Sequence, residues 1–177
     1  MMSRTFALIP AAGKSSRMGR SKLALPVGNR SVLELVLETM KQAGIADVLV
    51  VVNPQADDLA ALAQKAQVHL LRLKEDTPDM QATVLQGLDW LEKHLHPDAT
   101  DSWLLVPADH PTLNRAVVME LLQARTEHPA QSIFIPTCDG RRGHPALIGW
   151  HLVADLRHWP AGQGLNRFLR RHPGRAG

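Results

Sequence analysis

Three short apolar runs each end on a proline: Thr5–Ile9 (TFALI) before Pro10, Asp47–Asn53 (DVLVVVN) before Pro54, and Ser102–Val106 (SWLLV) before Pro107. The runs are continuous rather than alternating, as strands buried on both faces are. Between them the period becomes helical. Val32, Leu33, Val36, Leu37 and Met40 follow a Ser31/Glu34 capping-box pattern, and Gly44 closes that helix. The segments 57–66, 80–95 and 115–125 also read as helices. Val68–Leu73, Ser132–Pro136 and Ala146–Gly149 read as further strands, and short helical stretches around 151–157 and 164–171 finish the chain. Strands alternating with helices constrain the chain to an α/β fold: a mostly parallel sheet with helices on both faces. No repeat, low-complexity tract or linker interrupts residues 1–177, so one domain is expected.

Sheets of this kind bind ligands at the carboxyl ends of their strands. The loop after the first run, Ile9–Pro26 (IPAAGKSSRMGRSKLALP), carries four Lys/Arg and no acid. Two common phosphate loops fail on spacing. Five residues separate Gly13 from Gly19 where the Walker pattern has four, and Ser15 stands where the dinucleotide fingerprint has its second glycine. The residue chemistry still points to phosphate. Gly13 admits a close backbone approach, Ser15 and Ser16 supply donors, and Lys14, Arg17, Arg20 and Lys22 supply charge, with Arg able to grip oxyanions bidentately. The segment 107–112 (PADHPT) follows another strand and is expected at the same edge.

The net charge of +3 conceals an uneven distribution. Residues 1–33 hold six Lys/Arg and no Asp/Glu, residues 34–139 seven against sixteen, and residues 140–177 seven against one. If the basic ends converge, they form a site for a polyanion; the basic tail after Phe168 reads more simply as solvated charge. No apolar window is long enough to span a membrane, and no secretory leader is recognisable. With a single cysteine, Cys138, the expected location is the cytoplasm. Cys138 sits beside Asp-Gly in an expected turn, and the histidines show no zinc-ligand spacing. The cations sit in loops without an aromatic stacking platform, which disfavours a nucleic-acid partner.

Residues Leu8 to Gly19 (LIPAAGKSSRMG), followed by Lys22–Pro26 (KLALP), resemble the signature of the MobA-like nucleotidyltransferases, roughly L-x-A-A-G-x-S-x-R-M-G and then K-L-L-L-P. Ala108-Asp109-His110-Pro111 resembles the family's A-D-x-P segment, and Gly143-His144-Pro145 its G-H-P segment. Pro78-Asp79-Met80 with Thr83, Gly87 and Leu88 is similar to its G-M-S-x-S…G-L segment, with Asp79 and Gln81 departing from it. The resemblance runs from about residue 5 to 171.

It implies a three-layer Rossmann-like sandwich of the nucleotide-diphospho-sugar transferase type. It implies transfer of a nucleotidyl group with release of pyrophosphate, onto an acceptor that is itself a phosphate. Pro10, Ala11, Ala12, Gly13, Lys14, Ser15, Ser16, Met80 and Thr83 would bind the nucleotide. Arg17 and Lys22 would neutralise the triphosphate, Asp109 would hold Mg²⁺, and His110, Gly143, His144 and Pro145 would line the acceptor site. Asp109 before His-Pro also suits a turn or a helix cap. The Ala11-Ala12 pair is similar to the cytidylyl-transferring members, where guanylyl-transferring members tend to carry Gly-Gly. CTP and a molybdopterin-type acceptor are therefore expected. Two alternatives stay open: a sugar-phosphate or methylerythritol-phosphate nucleotidyltransferase, and a nucleotide-binding protein with weakened catalysis. The second arises because family members usually continue beyond the region matching 165–172 into a further strand and an Asp-Thr-Pro segment that helps hold the metal. Here Asp155 is the only acid after Asp139. A shortened chain, a second ligand from elsewhere, or weak activity would each account for that.

Overall fold

The computed structural model describes residues 3–13 and 21–172. Its elements in chain order are β1 (Thr5–Ala11), a 3-10 turn (Lys22–Ala24), β2 (Pro26–Val27), β3 (Arg30–Ser31), α1 (Val32–Gln42), β4 (Asp47–Val52), α2 (Asp57–Lys65), β5 (His69–Arg72), α3 (Met80–Leu95), β6 (Ser102–Leu105), α4 (Arg115–Glu127), β7 (Ile133–Phe134), β8 (Thr137–Cys138), β9 (Arg141–Arg142), β10 (Ala146–Gly149), a second 3-10 turn (Trp150–Leu152), α5 (Val153–Arg157) and α6 (Leu165–Arg171).

Six strands form one sheet in the order β5-β4-β1-β6-β10-β7. The first four are parallel, and β10 runs antiparallel to both of its neighbours. The mostly parallel α/β sandwich expected from the sequence is what forms. Alternate residues of β1 divide between two cores, as a period of two requires. Phe6 and Leu8 face a cluster with Leu88, Leu91, Leu156 and Phe168, on the side of α3, α5 and α6. Ala7, Ile9 and Ala11 face a cluster with Leu33, Leu37, Leu59 and Val118, on the side of α1, α2 and α4. Trp103 and Trp150 are buried, and Trp90 and Trp159 pack half-buried against the first cluster.

Gly87 lets α3 lie close on the sheet. A Cβ there would come within 2.5 Å of Leu8 Cδ1 and 3.1 Å of Val51 Cγ2. The reason for glycine at this position is helix–sheet packing.

Pro10 opens the sheet where the site lies. The Leu8 carbonyl accepts from Val106 N at 3.0 Å, so Leu8 faces β6 and so does Pro10, two residues on. Pro10 has no N–H with which to continue that ladder. β1 therefore pairs with β6 only as far as Leu8↔Leu105, yet stays paired with β4 to Ala11↔Val52. The gap between the carboxyl ends of β1 and β6 follows from one residue.

Candidate active site

Two cavities open at this edge and share a wall. The first, about 280 Å³, lies between Ala12-Gly13 at the end of β1 and the segment Thr77–Met80 with Thr83 at the start of α3. Asp79 caps α3 by accepting from Ala82 N at 2.8 Å, which fixes this wall. The Thr83 side chain is buried. It donates to the Asp79 carbonyl at 3.2 Å and shares a 2.6 Å hydrogen bond with the Thr77 hydroxyl. Its hydroxyl therefore braces the wall. At Gly13 a Cβ would meet nothing within 4 Å, so no packing among the described residues demands glycine there.

The second cavity, about 450 Å³, is largely apolar, with Pro10, Leu105, Pro107 and Leu165 among its lining residues. Asp79 and Met80 belong to both cavities. Met80 is 48 % exposed although it begins an otherwise well-packed helix, and its thioether forms part of the divide. His144 and Asn166 bring polar groups to the far side of the apolar cavity. The two ends of the chain do converge here, since Pro10 lies near the end of β1 and Leu165 and Asn166 belong to the last helix.

Asp109 and His110 stand on the loop after β6. The Asp109 side chain is 80 % exposed, and His110 Nδ1 lies 4.0 Å from its Oδ1. The His110 and His144 rings face each other with centroids 5.8 Å apart and a 38° tilt. His144 is titrated downward. The cavity wall withdraws water from its ring and disfavours the charged form, His110 adds repulsion, and Asp109 opposes both. The pKa of this exposed imidazole is thus lowered from the ordinary histidine value. The His144–Pro145 peptide is cis, and Pro145 is buried.

Most of the residues singled out in the sequence lie along this edge. Pro10, Ala12, Gly13, Met80 and Thr83 line the two cavities, and Gly143 and His144 line a cleft beside them. Ala11 offers only its backbone, because its side chain is in the core below. Lys22 is exposed on its 3-10 turn and lines neither cavity. Ser21 holds that turn in place: its Oγ accepts from Leu23 N and its N–H donates to Asp58. Lys14, Ser15, Ser16 and Arg17 lie outside the described residues. Gln81, noted only as a departure from the family motif, takes a place in the site that the motif did not assign. It is buried in the wall of the apolar cavity, donating Nε2 to the Trp159 carbonyl at 3.0 Å, and its Oε1 has no hydrogen-bond partner among the described residues. Its position one residue into a helix, between exposed Met80 and half-buried Ala82, carried no periodic signal.

Among the described residues, no three His, Cys, Asp or Glu side chains group to hold a metal. No described helix is long and apolar enough to cross a membrane.

A Rossmann-like three-layer α/β sheet with a small cavity and a larger apolar one side by side at its strand ends defines a ligand-binding α/β protein of the doubly wound kind. The model of the MobA-like NTP transferase domain matches residues 7–176, and the chain belongs to that family. It is 34 % identical to a molybdenum cofactor guanylyltransferase of Rhodopseudomonas palustris, over 94 % of this chain and 77 % of that protein. It is 30 % identical to a 2-C-methyl-D-erythritol 4-phosphate cytidylyltransferase of Shewanella frigidimarina, over 75 % of this chain and 57 % of that protein. Its fold is shared by Rv0371c of Mycobacterium tuberculosis, solved in complex with manganese, at a TM-score of 0.79 and 22 % identity, over 100 % of this chain and 88 % of that one.

Proposed function

We propose that this nucleotidyltransferase moves CMP from CTP onto the phosphate of a molybdopterin-type acceptor in the cytoplasm, releasing pyrophosphate. The observation that carries the reading is the shared Asp79–Met80 wall. It sets a small cavity against Ala12-Gly13 beside an apolar cavity able to take a flat organic body, so a triphosphate and an acceptor can meet across one residue pair.

An oxygen of the acceptor phosphate attacks the α-phosphorus. The new P–O bond forms as the bond from that phosphorus to the β-bridging oxygen breaks, and pyrophosphate leaves with the electron pair. A phosphate nucleophile is already ionised at neutral pH, so no general base is needed. The protein's work is positioning and charge stabilisation. Lys14, Ser15, Ser16 and the Ala12-Gly13 backbone would cradle the phosphates, and Arg17 and Lys22 would offset the charge growing on the leaving group. His144, with His110, Gly143 and Pro145, would orient the acceptor. Asp109 fits a divalent cation: its carboxylate is exposed, and Mg²⁺ takes only one or two carboxylates beside phosphate oxygens and water. Bound there, Mg²⁺ would neutralise charge on the triphosphate.

The base is the finer point. The Ala11-Ala12 pair supports cytosine, read by the Ile9–Ala11 backbone, while the guanylyltransferase relative supports guanine. Pyrophosphate release measured with CTP, GTP, ATP and UTP, each with Mg²⁺ and with molybdopterin, a sugar phosphate or methylerythritol phosphate, tests the reading. CTP with molybdopterin is expected to turn over fastest. Faster turnover with GTP overturns the base, turnover with a sugar phosphate alone overturns the acceptor, and nucleotide binding with no turnover overturns the enzyme.

A further inference from the structure

A third cleft, about 130 Å³, continues from the apolar cavity. His144 and Asn166 line both. The lining of this third cleft also includes two cations, Arg142 and Arg170, beside the apolar Ile135 and Leu169. Among the described residues, no acidic side chain lines it.

The fold places both guanidinia there by independent means. Arg142 is delivered by the β8–β9 hairpin, in which Thr137 pairs with Arg142 and Cys138 with Arg141. That register leaves a two-residue turn, Asp139-Gly140, with φ of +50° and +73°, the conformation an Asp-Gly hairpin turn adopts. Arg170 comes from α6, one helical turn after Asn166, so the two share a face while Phe168 and Leu169 anchor the helix in the core. Elsewhere the guanidinia of Arg4, Arg72 and Arg157 are each ion-paired with a carboxylate. Arg142 and Arg170 have no such pair among the described residues, though they line one cleft. Two like charges held at a common cleft repel, and an anion between them relieves that repulsion. The cleft is smaller than the apolar cavity beside it, about 130 against 450 Å³.

We propose that Arg142 and Arg170 form an anion subsite that receives a second anionic group of the acceptor, across the apolar cavity from the phosphate that is nucleotidylated. This rests on the reading of the apolar cavity as the acceptor site. The substrate class is thereby narrowed to a body with an anionic group at each end. A basic segment that read as solvated tail charge contributes one of the two cations.

Two measurements on the full chain test this. In the first, sulfate is titrated while the Arg side-chain Nε–Hε resonances are followed by NMR, with Arg142→Lys and Arg170→Lys used for assignment. Both resonances are expected to shift saturably, and to a common dissociation constant. Shifts that stay linear in sulfate, or no shifts, overturn the subsite. In the second, acceptor and nucleotide are varied separately in the pyrophosphate-release assay. The Arg142→Ala/Arg170→Ala protein is expected to raise the acceptor KM at least tenfold, leave kcat within twofold and leave the nucleotide KM unchanged, with partial rescue by the two Lys variants. An acceptor whose only anion is the reacting phosphate should show no change. An unchanged acceptor KM beside saturable sulfate binding overturns the acceptor role. If the wild-type protein transfers to no phosphate acceptor, the functional reading fails, the acceptor role falls with it, and the sulfate titration alone decides whether the cleft is an anion site.

Discussion

His144 lies across from His110 with ring centroids 5.8 Å apart, and His110 in turn lies 4.0 Å from the Asp109 carboxylate. Withdrawal from water and the His110 charge together hold His144 below 6.5, against the pull of Asp109. An NMR titration should therefore place the His144 midpoint below 6.5, and His110→Gln should raise it part of the way, since burial is the larger cause. The sign for stability follows from proton binding. As pH falls through 6.5, the unfolded chain takes up the proton first, so the contribution present above that pH is lost toward the lower folded value. Urea midpoints should fall between pH 7 and 5.5, and His144→Gln should make the fall smaller.

Asp109 and Lys22 are exposed and make no core contact, so replacing them separates chemistry from folding. Asp109→Asn and Lys22→Ala should each reduce pyrophosphate release by about 10²–10³-fold, the usual loss when one electrostatic stabiliser is removed. Thermal melting should be unchanged within about 2 °C, because surface changes usually stay within ±0.5 kcal/mol. Unreduced turnover in the double variant would remove both residues from the mechanism.

The continuous apolar runs made the parallel strands legible because burial on both faces leaves no alternation to misread. β1 runs two residues beyond the Thr5–Ile9 expected for it, since pairing with β4 tolerates a proline that pairing with β6 does not. What the period could not show was position across the chain. Nothing in Ala146–Gly149 distinguishes a strand inserted antiparallel between β6 and β7 from a parallel one at the edge. Likewise Arg142 and Arg170 are 28 residues apart in the chain, and only the hairpin turn and the seating of α6 bring them to one cleft. Thr83 stands at a motif position, yet its hydroxyl is already engaged by Thr77 and Asp79, a fact no spacing reveals.

Gly87 tests the closeness of α3 to the sheet. Its missing Cβ would press on Leu8 and Val51, both fully buried, so neither can swing away freely. Gly87→Ala gains helix propensity of about 1 kcal/mol, but overpacking a filled core costs about 1–3 kcal/mol. A net loss of up to about 2 kcal/mol is expected in denaturant unfolding. A stabilised variant would show that the helix moves outward at no cost.

The capping box of α1 connects the edge of the site to acid stability. Ser31 Oγ accepts from Glu34 N at 3.2 Å, and Ser31 N donates back to Glu34 Oε2 at 2.8 Å, with Lys65 Nζ 3.1 Å from Oε1. The backbone bond from Ser31, followed by Lys65, lowers the Glu34 pKa below 4.5. A carboxyl with a depressed folded value contributes stability above its unfolded value and loses it as pH falls through 4.5 toward the lower one. Ser31→Ala should cost about 1 kcal/mol at pH 7. Glu34→Gln keeps an acceptor for the Ser31 N–H but not the charge, so it should lose stability at pH 7 and little further on acidification. Chemical denaturation of the three proteins at pH 7 and pH 4 separates these effects: the wild-type and Glu34→Gln curves should converge at the lower pH, while Ser31→Ala stays apart at both. The 3-10 turn that carries Lys22 packs against α1. If the cap also sets the turn's position, Ser31→Ala should raise the triphosphate KM with kcat unchanged, and an unchanged KM would confine the cap to stability.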